Sequence, residues 1–188
     1  MLQVKPFLLF YCMSCTMVIP LLILLGKVRP TGDGRYEAYM IPPFKSNHAS
    51  FIELLPNGDL VLAWFSGTAE GESDVAIVLS RLPNGTDQWS RAAVLSQRKD
   101  YSNQNPVLFY DAKGKMLHLY HTQQPTSVTD GIHLPEYKAT IWTLNSTDLG
   151  NKWSLPREMF HKDGSYDHIR ILLTLNGDWI LPMYYSCM

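Results

Sequence analysis

The chain has 188 residues, about the size of one domain, with 16 Lys+Arg against 17 Asp+Glu. That balance leaves no basic stripe for nucleic acid and no acidic solvating tail. Aromatic residues, at 12%, are plentiful enough to furnish a packed core.

The first thirty residues differ from the rest. Pro6 to Gly26 carries no charge over 21 residues, long enough to cross a hydrocarbon layer as a helix. Residues 1–30 therefore predict an N-terminal hydrophobic helix, either a retained signal-anchor (transmembrane) span or a cleaved signal sequence. Pro20 would kink such a helix without forbidding it. Lys5 on one side and Lys27 and Arg29 on the other leave its orientation open. Cys12 and Cys15 lie in this span and Cys187 is next to last, so no disulfide is expected to support the folded part. Two acceptor triplets, Asn84-Gly-Thr and Asn145-Ser-Thr, favour a lumenal, extracellular or secreted domain with glycosylation at Asn84 and Asn145. Residues 31–47 read as a linker.

From residue 48 the pattern is β. His48–Leu55, Leu60–Phe65 and Val75–Leu79 are strand candidates, with Pro56-Asn-Gly-Asp59 as a hairpin turn between the first two. Two of these strands are continuously apolar, as strands buried on both faces are. An antiparallel protein achieves that by stacking sheets, as the blades of a β-propeller do. The pattern then repeats: Met116–His121 and Ala139–Leu144 follow, and turn glycines fall at Gly58, Gly114 and Gly177. A Ser…Trp-Ser element ends the third strand of each complete unit, at Ser80…Trp89-Ser90 and Ser146…Trp153-Ser154. Repeats of roughly fifty residues with several strands each are read as blades. Blade one spans about 48–95, blade two about 105–160, and a partial third starts at Ile169, with strands at Ile169–Leu175 and Trp179–Tyr185. The expected fold is thus all-β, about two and a half blades over residues 48–188.

At Ser146-x-Asp148-x-Gly150-x-x-Trp153 the chain resembles the Asp-box of sialidases, and Ser80…Gly85…Trp89 resembles a degenerate copy. HASFIELLPNGDLVLAWFSGTAEGESDVAIVLSR is similar to the first blade of sialidase-like proteins. SNQNPVLFYDAKGKMLHLYH and RILLTLNGDWILPMYYS resemble the next two. The resemblance covers roughly residues 36–186. It implies a six-bladed propeller that removes terminal sialic acids from glycans by retaining hydrolysis. In such enzymes a tyrosine is the nucleophile, assisted by a glutamate. An aspartate is the acid/base, and three arginines grip the substrate carboxylate, a pairing suited to the guanidinium fork. The chain departs from this in two places. Asn47-His48-Ala49 stands where many sialidases carry their first arginine, and histidine cannot make the bidentate fork. The blades expected to carry the other arginines, the glutamate and the nucleophile are absent, which reads as a truncated chain; Tyr184 and Tyr185 are not candidates for the nucleophile.

Strand parity places the candidates. In a four-stranded antiparallel blade the turns between strands one and two and between three and four share one end. The Gly58 and Gly114 turns and both Ser…Trp boxes therefore share an end. The loop 66–74, the loop 122–138 and the connections 96–104 and 161–168 share the other, where a glycan pocket belongs. The acidic candidates there are Glu70, Glu72 and Asp74, with Asp74 also placed to orient the third strand. His48, Gln104, Asn105 and Arg170 are candidate substrate contacts; the alternatives are strand caps and, for Arg170, a pair with Asp167. Ser146, Asp148, Gly150 and Trp153 are read as structural. His118 and His121 alternate on one strand with Tyr120, without a third metal ligand at sensible spacing.

The expected function is that of an exo-α-sialidase-type glycoside hydrolase domain acting on sialylated glycans, inactive as this chain, with no cofactor or metal. The alternative is a non-catalytic glycan-binding or interaction propeller. The expected partners are sialylated glycans or other carbohydrate and a membrane at the N-terminal segment.

Overall fold

The computed structural model describes residues 8–9, 25–127 and 134–186. Most of the expected apolar helix, and Cys12, Cys15 and Cys187, lie outside these residues. Leu8–Leu9 (β1) are extended rather than helical, running parallel to Tyr36–Glu37 (β3). No helix among the described residues is long and apolar enough to cross a membrane.

The turn at residues 56–59 closes as its sequence demands. Gly58 takes φ 86, and Leu55 N donates to Asp59 O at 2.8 Å. It joins Ser46–Leu54 (β4) to Leu60–Gly67 (β5), and Ala76–Leu82 (β6) and Ala93–Ser96 (β7) complete an antiparallel sheet in chain order. A second sheet repeats the plan with Tyr101–Asp111 (β8), Met116–Pro125 (β9), Thr140–Ser146 (β10) and Arg157–Phe160 (β11). A short 3-10 turn, Pro135–Lys138, precedes β10. The turn between β8 and β9 differs from the first: Asp111 accepts from the backbone N–H groups of Lys113 and Gly114, and Lys115, not the glycine, takes the positive φ.

The third unit is a hairpin in two paired pieces. Ser165–Asp167 (β12) pairs with Met183–Tyr185 (β15), and Leu172–Leu173 (β13) pairs with Trp179–Ile180 (β14). Its paired strands are shorter than the sequence predicts, because His168–Ile171 oppose only Leu181–Pro182 and the ladder breaks there.

Alternation along the strands sorts the core. Val61, Ala63, Phe65 and Ile77 of the first sheet pack on Leu108, Leu117, Leu119 and Leu144 of the second. Val107, Phe109 and Tyr120, on the second sheet's other face, meet Ile171 of the hairpin. The sheets thus stack through continuously apolar strands, as the uninterrupted hydrophobic runs imply.

The first sheet's remaining face bears Leu62, Trp64, Val78 and Trp89, and it too is covered. Ala38, 2% exposed, is buried among them, and Val28 and Met40 pack alongside. The cover is the segment expected as a linker. Arg29–Pro30 (β2) pairs with β3, Gly26 N donates to Tyr39 O, and Val28 N donates to Asp87 O. With no periodic pattern of its own, this strap is held by the apolar face it shields.

Candidate functional site

The ends of the sheets are as different as strand parity predicts. At the turn end Ser146 Oγ donates to Asp148 Oδ1 at 2.8 Å and accepts from Gly150 N at 2.7 Å. Asp148 Oδ1 accepts from Lys152 N at 2.8 Å, which holds its carboxyl below the usual carboxylate range. Gly150 takes φ 83, and Trp153 packs against the inter-sheet core. This box is a hydrogen-bonded turn that holds itself together. The first sheet's box is closed differently: Ser80 Oγ donates to Ser90 O at 2.7 Å, and Trp89 is 2% exposed. Between the two runs Arg81, unmarked by any motif. Its Nη1 pairs with Asp59 at 2.7 Å and its Nη2 donates to Leu149 O, tying the first sheet's turn to the second sheet's box.

The acceptor asparagines lie toward this end in different settings. Asn84 is exposed, and its Nδ2 donates to Asn57 O. Asn145 is half-buried, and its Oδ1 accepts from His118 Nδ1 at 2.9 Å.

At the opposite end the inner strands carry a shared irregularity. In β4, Ala49 and Ser50 together oppose Trp64; in β8, Asn105 and Pro106 oppose His121. Ala49 and Asn105 take the left-handed conformation, φ 51 and 53. A bulge re-aims the residues around it, and the missing N–H of Pro106 costs nothing where the ladder is already broken. Beside the bulges stand His48 and Gln104, and at the matching distance from the third turn glycine stands Asp167.

The structure brings some of the candidates together. His48 lies flat on Phe65, ring centroids 5.4 Å apart, with Nδ1 4.0 Å from Glu70 Oε2; both side chains are more than half exposed. Burial raises the hydroxyl pKa values of Tyr166 and Tyr184, and nearby charges, Glu70 the weakest among them, add to it. Those two rings stack at 5.2 Å, and the Asn105 side chain hydrogen-bonds Tyr184. His48, Glu70, Asn105 and Tyr184, from three units, thus form one polar, aromatic-walled patch. Tyr166 and Tyr184 join it without having been marked by the sequence, since only the hairpin's register sets them opposite the 66–74 loop.

The other candidates are engaged elsewhere. Asp74 accepts from Thr68 N and Oγ1 at 3.1 Å and pins the loop that carries Glu70. Glu72 forms the loop's backbone turn with Ala69. Gln104 is buried, bonded to Ser102 Oγ at 3.0 Å. Arg170 pairs with Glu53 at 2.6 Å, not with Asp167, donates to Ile52 O and lies over Phe51. It bridges the hairpin to the first sheet. Asn47, in the stretch where the resemblance implies an arginine, holds the strand: its Oδ1 accepts from Trp64 Nε1 at 2.9 Å and Ser66 Oγ at 2.6 Å. His118 and His121 face opposite sides of β9. Among the described residues no cluster of His, Cys, Asp and Glu is placed to hold a metal.

The family model for the BNR repeat-like domain matches residues 58–187, most of the chain, from the first turn glycine through the hairpin. The chain belongs to this BNR-repeat family. A comparison with curated protein sequences gave no match. Among solved structures, this BNR-repeat chain is similar to a Hadza microbial sialidase, with TM-score 0.62 and 11% identity over 76% of this chain and 33% of that one. It is similar to the intramolecular trans-sialidase from Ruminococcus gnavus, solved with oseltamivir carboxylate, with TM-score 0.62 and 10% identity over 76% of this chain and 56% of that one. A protein of unknown function from Dyadobacter fermentans matches with TM-score 0.56 and 17% identity, over 70% and 44%. The fold is sialidase-like and all-β, and the chain spans roughly a third to just over half the length of these structures.

Proposed function

We propose that the chain is part of a sialidase-like β-propeller whose loop end recognises terminal sialylated glycans. The observation that carries this is the patch made by His48, Glu70, Asn105 and Tyr184 from three successive units, at the end away from the Asp-box. Flat aromatic walls with a few polar groups suit a sugar ring. Glu70, rather than Glu72 or Asp74, is the acidic group the patch offers to a substrate. Arg170, committed to Glu53, is not available to grip a carboxylate. The reading is therefore of a glycan-binding unit, with exo-α-sialidase hydrolysis reserved for a chain that also supplies the arginines and a tyrosine–glutamate pair. Membrane attachment by the apolar N-terminal segment before Gly26 and glycosylation at Asn84, the more exposed acceptor, belong to the same proposal.

The test is ligand-observed NMR of the 188-residue chain with sialyllactose and with lactose. Saturation transfer to the sialic acid ring, lost on Glu70→Gln or His48→Ala and absent for lactose, is the expected result. Equal signals for both sugars, or signals indifferent to both substitutions, overturn the site. The same chain should leave a fluorogenic sialoside unhydrolysed. Turnover that depends on Glu70 would instead make it an enzyme as it stands.

A further inference from the structure

Asp167 occupies an unusual place. It is fully buried where the hairpin docks on the second sheet. Its Oδ1 accepts from Thr122 Oγ1 at 2.8 Å, and its own backbone N donates to the same oxygen at 3.3 Å. Among the described residues its Oδ2 has no partner. Among these residues the Thr122 hydroxyl and its own N–H favour the charged form, and burial outweighs them. The titratable groups around it are Tyr166 on its own strand and Tyr184 on β15, on both of which the more distant Glu70 of the 66–74 loop also acts. On β9, buried His121 precedes its Thr122 partner. Neutral Asn103 and Gln104 lie on β8, and Thr140 on β10. A buried, half-satisfied carboxylate is costly, and a carboxylic acid much less so. Since Oδ1 already accepts from Thr122, the proton belongs on Oδ2.

The docking is a set of separate polar and apolar contacts. Besides this pair it includes Tyr166 Oη donating to Gln124 at 2.8 Å, Ser165 N donating to Ala139 O at 3.0 Å, the Asn105–Tyr184 hydrogen bond, the Arg170–Glu53 pair with the first sheet, buried Ile171, and Trp179 set edge-on against Phe109 and His118. We propose that Asp167 is a pH-sensitive latch: as the neutral acid it docks the hairpin 165–185 on the second sheet, and as the carboxylate it loosens it. Loosening carries Tyr166 and Tyr184 away from Glu70, so acid favours the assembled patch and alkali opens it. The latch stands whether or not that patch binds a sugar.

The sign follows from the direction of the shift. Burial raises the carboxyl to about 7 from an ordinary 3.8. The docked form therefore holds more protons than the open one between those values, and docking weakens as pH rises through that window. Hydrogen exchange of the 188-residue chain, corrected for the intrinsic pH dependence, tests it. Protection of the hairpin amides relative to those of 60–67 should fall by up to about tenfold per pH unit between pH 5.5 and 7. Asp167→Asn should keep the low-pH protection at pH 8 and flatten the profile. A flat wild-type profile, or a variant that keeps the wild-type slope, overturns the latch. If the variant does not fold, carboxyl-carbon NMR of the wild type decides. An aspartate still titrating above pH 6 supports the latch, and complete titration of every aspartate below pH 5 overturns it.

Discussion

His121 is 0% exposed, and its hydrogen bonds define its tautomer. Nδ1 donates to Thr122 O at 3.3 Å, so Nε2 accepts from Ser96 Oγ at 3.1 Å. Burial pulls its pKa down to about 4 from 6.5. The folded chain keeps the ring neutral while the unfolded chain would protonate it. Its contribution is whole above pH 6.5 and is lost as pH falls toward 4, a linkage on the order of 3 kcal/mol at most. Asp167, one strand away, has the opposite slope over an overlapping window. The wild type should therefore show a nearly flat stability between pH 4.5 and 6.5. Urea midpoints of the two single variants should separate the terms: rising with pH in Asp167→Asn, where only the histidine remains, and falling in His121→Gln, where only the carboxyl does. Parallel slopes in the two variants would refute the assignment. Neither residue's character was readable in the sequence, where both stand beside ordinary polar neighbours. The sheet stacking that buries them sets both shifts.

The strands and turns were legible because they are local. Asn-Gly in the first turn, the uninterrupted apolar runs and the Ser…Trp boxes each carry their geometry within a few residues, and the ends of the sheets follow from parity. The bulges were not legible, since two residues opposing one is a fact about a pair of strands. Ala49 is the clearest case: nothing in Asn47-His48-Ala49 announces a left-handed residue, yet φ is 51. Glycine meets no steric cost there, so Ala49→Gly should be neutral or stabilise by up to about 1 kcal/mol in denaturant unfolding. A comparable loss would indicate that the Ala49 side chain, packed on the inter-sheet core, outweighs the strain. Arg81 escaped notice for the same reason. Its partners, Asp59 and Leu149 O, come from two different sheets. Arg81→Ala strands a largely buried carboxylate and a carbonyl, and should cost about 2–3 kcal/mol, with ligand binding at the far end unchanged. The strap at 26–40 shows no period because its apolar residues are too sparse; only the sheet face under it explains Ala38.

At the scale of the molecule, two outward faces end differently. The first sheet's is sealed by the strap. The hairpin's is bare among the described residues, because alternation turns Ile171 and Leu181 toward the second sheet and Leu172 and Ile180 away from it. Leu172 is 54% exposed and Ile180 49%, and Ile169, Leu175 and Tyr185 are exposed nearby. An apolar patch beside an open strand edge drives association. The chain should therefore self-associate as concentration rises, seen as an increasing weight-average sedimentation coefficient. Leu172→Lys with Ile180→Glu should restore the monomer, since a charge placed in an apolar contact is not compensated there. The hairpin's inner face and the latch at Asp167 are untouched by these changes, so Trp179 packing against Phe109 should survive. The strap offers the complementary comparison: Ala38→Asp should lift it from Trp64 and Trp89, bare the first sheet's face and promote association from the other side. A wild-type chain that stays monomeric at every concentration would mean that the hairpin face is shielded in solution, and the comparison between the two faces would then fail.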